Sequence, residues 1–157
     1  MTQKQAFSFL EAKHKIEAYC AYQERCEKEV LDRLKKWNIY GEQADVIVAD
    51  LISNNFLNEE RFAEAFVSGK IRIKRWGKIK IKQQLKQKQI SSYSINKAIN
   101  LIDNDLYLTN LNYLVNKKIK DLNLKSKISW ENKAKIQRFL QSKGYENQLI
   151  FKAIDDL

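Results

Sequence analysis

The chain of 157 residues is long enough to bury a core without disulfide support, and a hydrophobic content of 44% excludes an intrinsically disordered polymer. The absence of proline, together with only four glycines, favours helices over a compact β fold. A net charge of +10 indicates a polyanion, an acidic protein surface or an anionic membrane as the partner.

The amino-terminal region meets charged residues too early for a signal peptide, and no apolar run approaches the roughly 18 residues needed to span a bilayer. We therefore expect a cytoplasmic protein without a membrane partner. Cys20 and Cys26 lie six positions apart, which on one helix would direct them to different faces. Both are predicted to be reduced thiols in a reducing compartment.

The predicted elements are helices throughout the chain. One of them begins at Asn58 as its N-cap, has Glu59 and Glu60 in its first turn, and ends at a break at Trp76-Gly77. The other predicted helices, in chain order, cover Ala6 to Tyr22, the region of Val30 to Leu34, Gly41 to Ser53, Lys78 to Lys88, the region of Ile95 to Ile102, Leu106 to Leu122, the region of Ile136 to Leu140, and Tyr145 to Leu157.

The segment KIRIKRWGKIKIK, Lys70 to Lys82, alternates isoleucine with basic residues and would also suit a two-stranded hairpin. Its second half, however, is one copy of a repeated pattern whose other copies lack the alternation. A helix on each side of Trp76-Gly77 is therefore the preferred interpretation.

The repeat is carried by three leading leucines, Leu34, Leu85 and Leu140, spaced by about fifty residues. An apolar residue precedes each leucine by four positions, and apolar residues follow it at offsets 5, 10, 14 and 17, which are two helical stripes joined by a turn. The residue at offset 4 is predicted to take the left-handed conformation that ends a helix. The members of the pattern are Val30, Ile39, Ala44, Val48 and Leu51; Ile81, Ile90, Ile95, Ile99 and Ile102; and Ile136, Tyr145, Ile150, Ile154 and Leu157, with Asn38, Gln89 and Gly144 at offset 4.

The predicted fold class is therefore all-α, with three tandem three-helix, helix-turn-helix-like repeats in an elongated, curved arrangement. The predicted units are residues 1–53, residues 54–104, which are the central basic unit, and residues 105–157.

Residues suited to catalysis or metal binding are sparse. His14 is the one histidine, and its spacing to Cys20 and Cys26 matches no standard metal motif. Asp103 and Asp105 flank Asn104 at a helix junction, where helix capping is a commoner use of aspartate than a two-metal site. The prediction is a protein that is not an enzyme and that has no cofactor and no metal site.

Basic residues are concentrated in the central unit, where no acidic residue lies between Glu64 and Asp103. A solvated helix face is one interpretation of this interval and a nucleic-acid or acidic-protein surface is the other. Trp76 could stack on a base, although its use as a staple between helices is the commoner role. The predicted basic face comprises Lys70, Arg72, Lys74, Arg75, Trp76, Lys78, Lys80, Lys82, Lys86 and Lys88.

The segment FLNEERFAEAFVSGKIRIKRWGKIKIKQQLKQKQI, Phe56 to Ile90, resembles the signature of the RecX family, bacterial regulators of the RecA recombinase. The resemblance implies a structural role for the motif residues Asn58, Glu59, Glu60, Arg61, Phe62, Ala63, Gly77, Leu85 and Ile90. Two positions depart from the family pattern, because Lys78 replaces a common proline and Gln89 replaces the usual glycine.

The resemblance also implies a function in homologous recombination, DNA repair and the SOS response. A protein of this family is expected to lie in the groove of the RecA filament on single-stranded DNA and to inhibit ATP hydrolysis, filament extension and strand exchange. We expect a monomer that also binds duplex DNA weakly and without sequence specificity. The alternatives are a DNA-binding regulator that acts alone through its helix-turn-helix-like repeats and a helical adaptor for another acidic protein.

Overall fold

The computed structural model describes residues 7–157, which form α-helices joined by short turns. No strand occurs in that range, so the all-α prediction is confirmed and the hairpin is excluded. The predicted start of the first helix at Ala6 lies outside the described residues. The elements are α1 (Phe9–Tyr22), α2 (Glu27–Lys36), α3 (Glu42–Ser53), α4 (Glu59–Gly69), a π-helix (Lys70–Lys74), α5 (Lys78–Gln87), α6 (Ser92–Asn100), α7 (Asn104–Asp121), α8 (Trp130–Ser142) and α9 (Asn147–Asp155).

The turns between α2 and α3, α5 and α6, and α8 and α9 share one geometry. The residue at offset 4 has a positive φ in each turn: 60° at Asn38, 62° at Gln89 and 93° at Gly144. The next residue then donates its backbone N–H to the carbonyl of the leading leucine, as Ile39 does to Leu34 at 2.9 Å. This is the Schellman ending of a helix. The left-handed positions predicted from the repeat are confirmed, including the one occupied by glutamine.

The repeated apolar positions form the core, as predicted. The leading leucines and the residues four positions before them are fully buried, and offsets 5, 10 and 14 are buried in all three copies. At offset 17 only Leu51 is buried, while Ile102 and Leu157 are partly exposed because they lie beyond the ends of their helices.

The core is divided into two clusters. One cluster lies among α1, α2 and α3 and includes Leu57. The other runs continuously through α4 to α9 and takes in Cys26 from the start of α2. The second and third predicted units thus share one core, and the first has its own. The predicted unit boundaries remain a prediction, and α7 already begins at Asn104.

The accessible surface of 10306 Å² exceeds the roughly 8,200 Å² expected for a compact monomer of this mass, in agreement with an elongated molecule. Capping follows the sequence prediction, since Asp103 Oδ1 accepts from the backbone N–H of Asp105 at 2.9 Å. Cys20 and Cys26 are buried free thiols that lie in α1 and at the N-cap of α2 rather than on one helix.

Candidate nucleic-acid interface

The basic segment begins with an irregular helix end. Helix α4 passes directly into the π-helix Lys70–Lys74, which Arg75 terminates in the left-handed conformation with φ 53° and ψ 39°. Trp76 donates its backbone N–H to the Lys70 carbonyl at 3.1 Å, which closes the widened turn. Such turns often occur at functional sites. Ile71 points into the core while Arg72, Ile73 and Lys74 are exposed, so the turn presents its charges to solvent.

Gly77 places α5 directly against the turn between α8 and α9. A Cβ atom on Gly77 would lie 2.3 Å from the Gly144 carbonyl carbon. The Gly77 N–H donates to the Lys143 carbonyl at 2.7 Å, and the Ile79 N–H donates to the Gly144 carbonyl at 2.9 Å. These contacts need two glycines facing each other. The motif glycine predicted at the helix junction therefore serves a junction between units as well.

Two buried tyrosines reinforce this junction. Tyr107 Oη accepts from the Lys78 backbone N–H at 2.9 Å and donates to Glu146, while Tyr145 Oη donates to the Arg75 carbonyl at 2.8 Å. Burial and the hydrogen bond to Glu146 raise the pKa of Tyr107, and burial followed by the Glu146 charge raises the pKa of Tyr145. Both hydroxyls are consequently held in the protonated form that can donate.

The π-helix has its own polar anchor in the third unit. Asn110 on α7 is buried and donates its Nδ2 to the Ile71 carbonyl at 2.8 Å. The widened turn leaves carbonyl groups without their ordinary helical partners, and a buried carbonyl without a partner is costly. Asn110 supplies that partner from another helix.

Lysines gather around Trp76 at the junction. Lys70 Nζ lies 4.6 Å and Lys80 Nζ 4.4 Å from the Trp76 ring centroid, which are cation–π distances. The pKa of Lys70 is lowered first by burial and then by the charges of Lys74, Lys88 and Lys80. Trp76 is partly buried and packs against the core of α4 to α9, a position that suits a staple between helices. Its stacking on a base stays a prediction.

The third unit adds two lysines that sequence reasoning missed. The pKa of Lys143 is lowered first by burial and then by the charges of Lys80, Lys117 and Lys74. No acidic side chain forms an ion pair with any of these lysines within residues 7–157. We call the group the junction cluster, and its members are Lys70, Lys74, Lys80, Lys117 and Lys143.

The other predicted basic residues do not all share that surface. Lys88 lies near Lys70, whose pKa its charge lowers, but it forms an ion pair with Glu29 of α2 at 3.5 Å, which partly neutralises it. Arg72 lines a separate cleft together with Glu64 and Asp103.

Two further cations of the predicted face lie over aromatic rings of α7. The Arg75 guanidinium carbon is 3.9 Å from the Tyr113 ring centroid, and Lys78 Nζ is 4.8 Å from that of Tyr107. On α5, Lys82 is partly buried and Lys86 is exposed. The ten predicted residues therefore cover more than one side of the central unit.

The motif residues make structural contacts. Asn58 Oδ1 accepts from the Arg61 N–H at 2.9 Å and caps α4, as predicted. Glu59 accepts from the Ser91 backbone N–H at 2.7 Å and so holds the start of α6. Glu60 pairs with Lys97 of α6 at 2.7 Å.

Arg61 joins the central unit to the segment before it. Its Nε donates to Glu24 at 2.5 Å, and its guanidinium also donates to the side chain of Asn55 at 3.1 Å and to its carbonyl at 2.9 Å. The remaining motif side chains, together with Gly77, are buried: Phe62, Ala63, Leu85 and Ile90.

The side chains that could ligate a metal or act as a nucleophile do not cluster in one place. No group of three or more metal-ligating side chains occurs in the part of the chain that the structure describes, and no helix there is long and apolar enough to cross a membrane. His14 is largely exposed beside Glu17 at 4.0 Å. Burial raises the pKa of Cys20 to about 11, which makes its thiolate scarce at neutral pH.

Comparison with known proteins gives consistent matches. Residues 58–99 match the family model for the second three-helix domain of RecX, and residues 105–154 match that for the third. The regulatory protein RecX of Clostridium tetani is 34% identical over 125 residues, which are 77% of this chain and 55% of that protein. That of Bacillus pumilus is 31% identical over 138 residues, or 88% of this chain and 52% of that protein.

A solved structure extends the similarity to the fold. The crystal structure of RecX from Lactobacillus salivarius matches with a TM-score of 0.80 at 25% identity, covering 95% of this chain and 96% of that one. The chain spans about half the length of the curated relatives it matches. The two domain matches together cover more than half of the sequence and confirm the resemblance seen in Phe56 to Ile90. The chain therefore belongs to the RecX family of regulatory proteins.

Proposed function

We propose that this protein regulates a RecA recombinase by binding the filament that RecA forms on single-stranded DNA, and that it inhibits ATP hydrolysis, filament extension and strand exchange without catalysing a reaction itself. Membership of a regulatory family supports the proposal. The proposal includes the predicted partners, which are RecA and single-stranded DNA, and the predicted weak binding of duplex DNA.

The observation that carries the proposal is the junction cluster. Ammonium groups crowded around one junction without acidic partners attract a polyanion, because binding replaces mutual repulsion with attraction. A nucleoprotein filament offers such a polyanion along its length. An elongated molecule can contact several repeats of it, and a ligand that binds one state of the filament more tightly shifts the filament toward that state.

The proposal is tested by single-stranded-DNA-dependent ATP hydrolysis by the cognate RecA, with this protein titrated from far below to equal the RecA concentration. We expect inhibition at substoichiometric amounts. No inhibition at equal concentrations would contradict the proposal. If the protein then still preferred one duplex sequence over random competitor at constant salt, it would be a DNA-binding regulator that acts alone.

A charge variant connects the inhibition to the surface. Lys74→Gln with Lys80→Gln removes two cations of the junction cluster, and Lys35→Gln with Lys36→Gln removes two exposed cations from the first unit. The loss of two phosphate contacts weakens single-strand binding roughly 15-fold at about 150 mM salt. The variant with Lys74→Gln and Lys80→Gln should therefore reach half-inhibition only at a much higher concentration than the unaltered protein. The control pair should inhibit like the unaltered protein. Equal inhibition by both pairs would remove the junction cluster from the mechanism.

A further inference from the structure

The lysines of the junction cluster come from two units, so a ligand that contacts all of them must cross the boundary between these units. Lys70, Lys74 and Lys80 come from the central unit, whereas Lys117 lies on α7 and Lys143 follows α8. Lys80 and Lys143 are far apart in sequence, yet the charge of Lys80 is, after burial, the next cause of the lowered pKa of Lys143.

The glycine contact is what brings them together. A Cβ atom on Gly144 would lie 2.3 Å from the Cβ of Lys80, so the backbone of α5 lies directly on the turn that carries Lys143. The carbonyl of Lys143 also receives the Gly77 N–H at 2.7 Å. These backbone contacts hold the start of α5, which carries Lys80, against the turn that carries Lys143, independently of where the flexible ammonium groups move.

From this placement we infer that the phosphodiester backbone of a single-stranded nucleic acid crosses the junction between the central and third units, with phosphates contacted by Lys70, Lys74 and Lys80 on one side and by Lys117 and Lys143 on the other. The inference rests on the proposed function for its biological setting, but it concerns nucleic-acid binding by this protein alone.

The chemistry of the cluster favours phosphates over an acidic protein segment. The cluster consists of lysines, which bind phosphate as compact point charges. The core of a protein–protein interface is depleted of charged residues, whereas nucleic-acid interfaces are strongly positive. The aromatic group at the centre, Trp76, is already in contact with Lys70 and Lys80.

The test measures binding of a short fluorescent oligothymidylate by anisotropy at several salt concentrations. Lys117→Gln with Lys143→Gln should weaken binding roughly 15-fold at about 150 mM salt and lower the magnitude of the log-log salt slope by about 1.4, the amount lost with two single-strand phosphate contacts. Lys135→Gln with Lys152→Gln changes two exposed lysines of the same unit and should alter affinity less than twofold.

Lys143 is partly buried, so a second variant separates charge from folding. Lys143→Arg keeps the cation and should retain binding within about threefold. If the Lys117 and Lys143 pair bound like the unaltered protein while Lys74→Gln with Lys80→Gln lost affinity, the site would be confined to the central unit and the inference would be wrong. If polyglutamate displaced the fluorescent oligonucleotide as well as unlabelled oligothymidylate of the same total charge does, the inference would be wrong and an acidic protein would be the better ligand.

The outcome is distinguishable from the fate of the proposed function. A protein that binds oligothymidylate across the junction but leaves RecA ATP hydrolysis unchanged would keep this inference and reject the proposed function. The opposite outcome is also possible to recognise. If the Lys117 and Lys143 variant inhibited RecA and bound the oligonucleotide as well as the unaltered protein does, the proposed function would stand and this inference would be rejected.

Discussion

The two junctions between the predicted units differ in physical character. The central and third units share a hydrophobic core and are joined by a facing pair of glycines, two tyrosine hydroxyls and a buried asparagine. The first and central units have separate cores, although Cys26 of the first unit packs in the core of α4 to α9 and Leu57 of the central unit packs in the core of α1 to α3. Two ion pairs also cross between these units, Arg61 with Glu24 and Lys88 with Glu29. We expect the junction between the central and third units to be the rigid junction, because these units share one buried core. The junction between the first and central units, which we call the polar junction, depends more on partly exposed charges.

A cleft marks the polar junction. Its volume is about 590 Å³, and it lies between Glu24 and Glu29 on the first unit and Phe66, Lys70 and Lys88 on the central unit. Space that side chains do not fill contributes no dispersion energy to hold the units together. Lys70 and Lys74 of the junction cluster also line this cleft, whereas Lys80 and Lys143 adjoin the contact of Gly77 with Gly144. We expect the first unit to be the part that can change its angle.

The largest expected effect comes from breaking the rigid junction at Gly77. Its φ is −80°, so alanine is allowed by the backbone, but the new Cβ atom would meet the Gly144 backbone at 2.3 Å. Overpacking of this kind costs about 1–3 kcal/mol, and we expect that loss for Gly77→Ala in urea unfolding. The matched control is Gly69→Ala, where nothing lies within 4 Å of the added Cβ atom and the helix should gain about 0.5–1 kcal/mol. Equal stability of the two variants would contradict the close packing.

Alkaline pH should weaken the same junction. The pKa values of Tyr107 and Tyr145 are raised in the folded protein, so both stay protonated while the unfolded chain ionises near the usual value of 10.0. Their contribution is complete below that value and is lost as pH rises, because the unfolded state then releases more protons; at about pH 11 the loss is about 1.4 kcal/mol for each tyrosine. The melting temperature, measured by thermal unfolding between pH 8 and pH 11, should fall accordingly.

Tyr107→Phe is the control for this pH dependence. The variant lacks one of the two hydroxyls, so it should be less stable at pH 8 but lose less stability on going to about pH 11. A pH dependence identical to that of the unaltered protein would show that Tyr107 is not held protonated by its surroundings.

The polar junction should respond differently. Glu24→Gln with Glu29→Gln removes the acidic partners of Arg61 and Lys88, and because these pairs are partly exposed we expect a loss of under about 1 kcal/mol in unfolding free energy. The distance distribution between spin labels at Lys35 and Lys97 should nevertheless broaden, as it should in the unaltered protein at high salt. Labels at Lys97 and Lys135, across the rigid junction, should report no change. A constant distribution at both junctions would show that the ion pairs do not set the angle.

The smallest effect concerns the left-handed residue in the turn between α5 and α6 of the central unit. Gln89 has a φ of 62°, a conformation that costs an ordinary residue about 1–2 kcal/mol, part of which glycine returns through its greater freedom in the unfolded chain. Gln89→Gly should therefore stabilise the protein by about 0.5 kcal/mol. Asn38→Gly is the comparison in the first unit and should gain less, because asparagine tolerates this conformation. A loss of stability at Gln89 would indicate that its side chain makes a contact of its own.

Local periodicity determined much of this fold. Stripes of apolar residues three and four positions apart identify a helix face without knowledge of its partner, so the repeat predicted Leu34, Leu85 and Leu140 as core and Asn38, Gln89 and Gly144 as left-handed turn residues. The cap at Asn58 was equally predictable from the sequence, because its hydrogen bond joins residues only three positions apart. The family signature was likewise contained in one continuous segment.

The tertiary structure alone decided which cations share a surface. Lys88 belongs to the same basic interval as Lys80, yet it pairs with Glu29, while Lys143 from a distant segment joins the junction cluster through the contact of Gly77 with Gly144. The π-helix was also beyond local prediction, since Asn110 on α7 supplies the partner for its carbonyl. Charge interactions act through space rather than along the chain, so their partners become known only when the packing of distant helices is known.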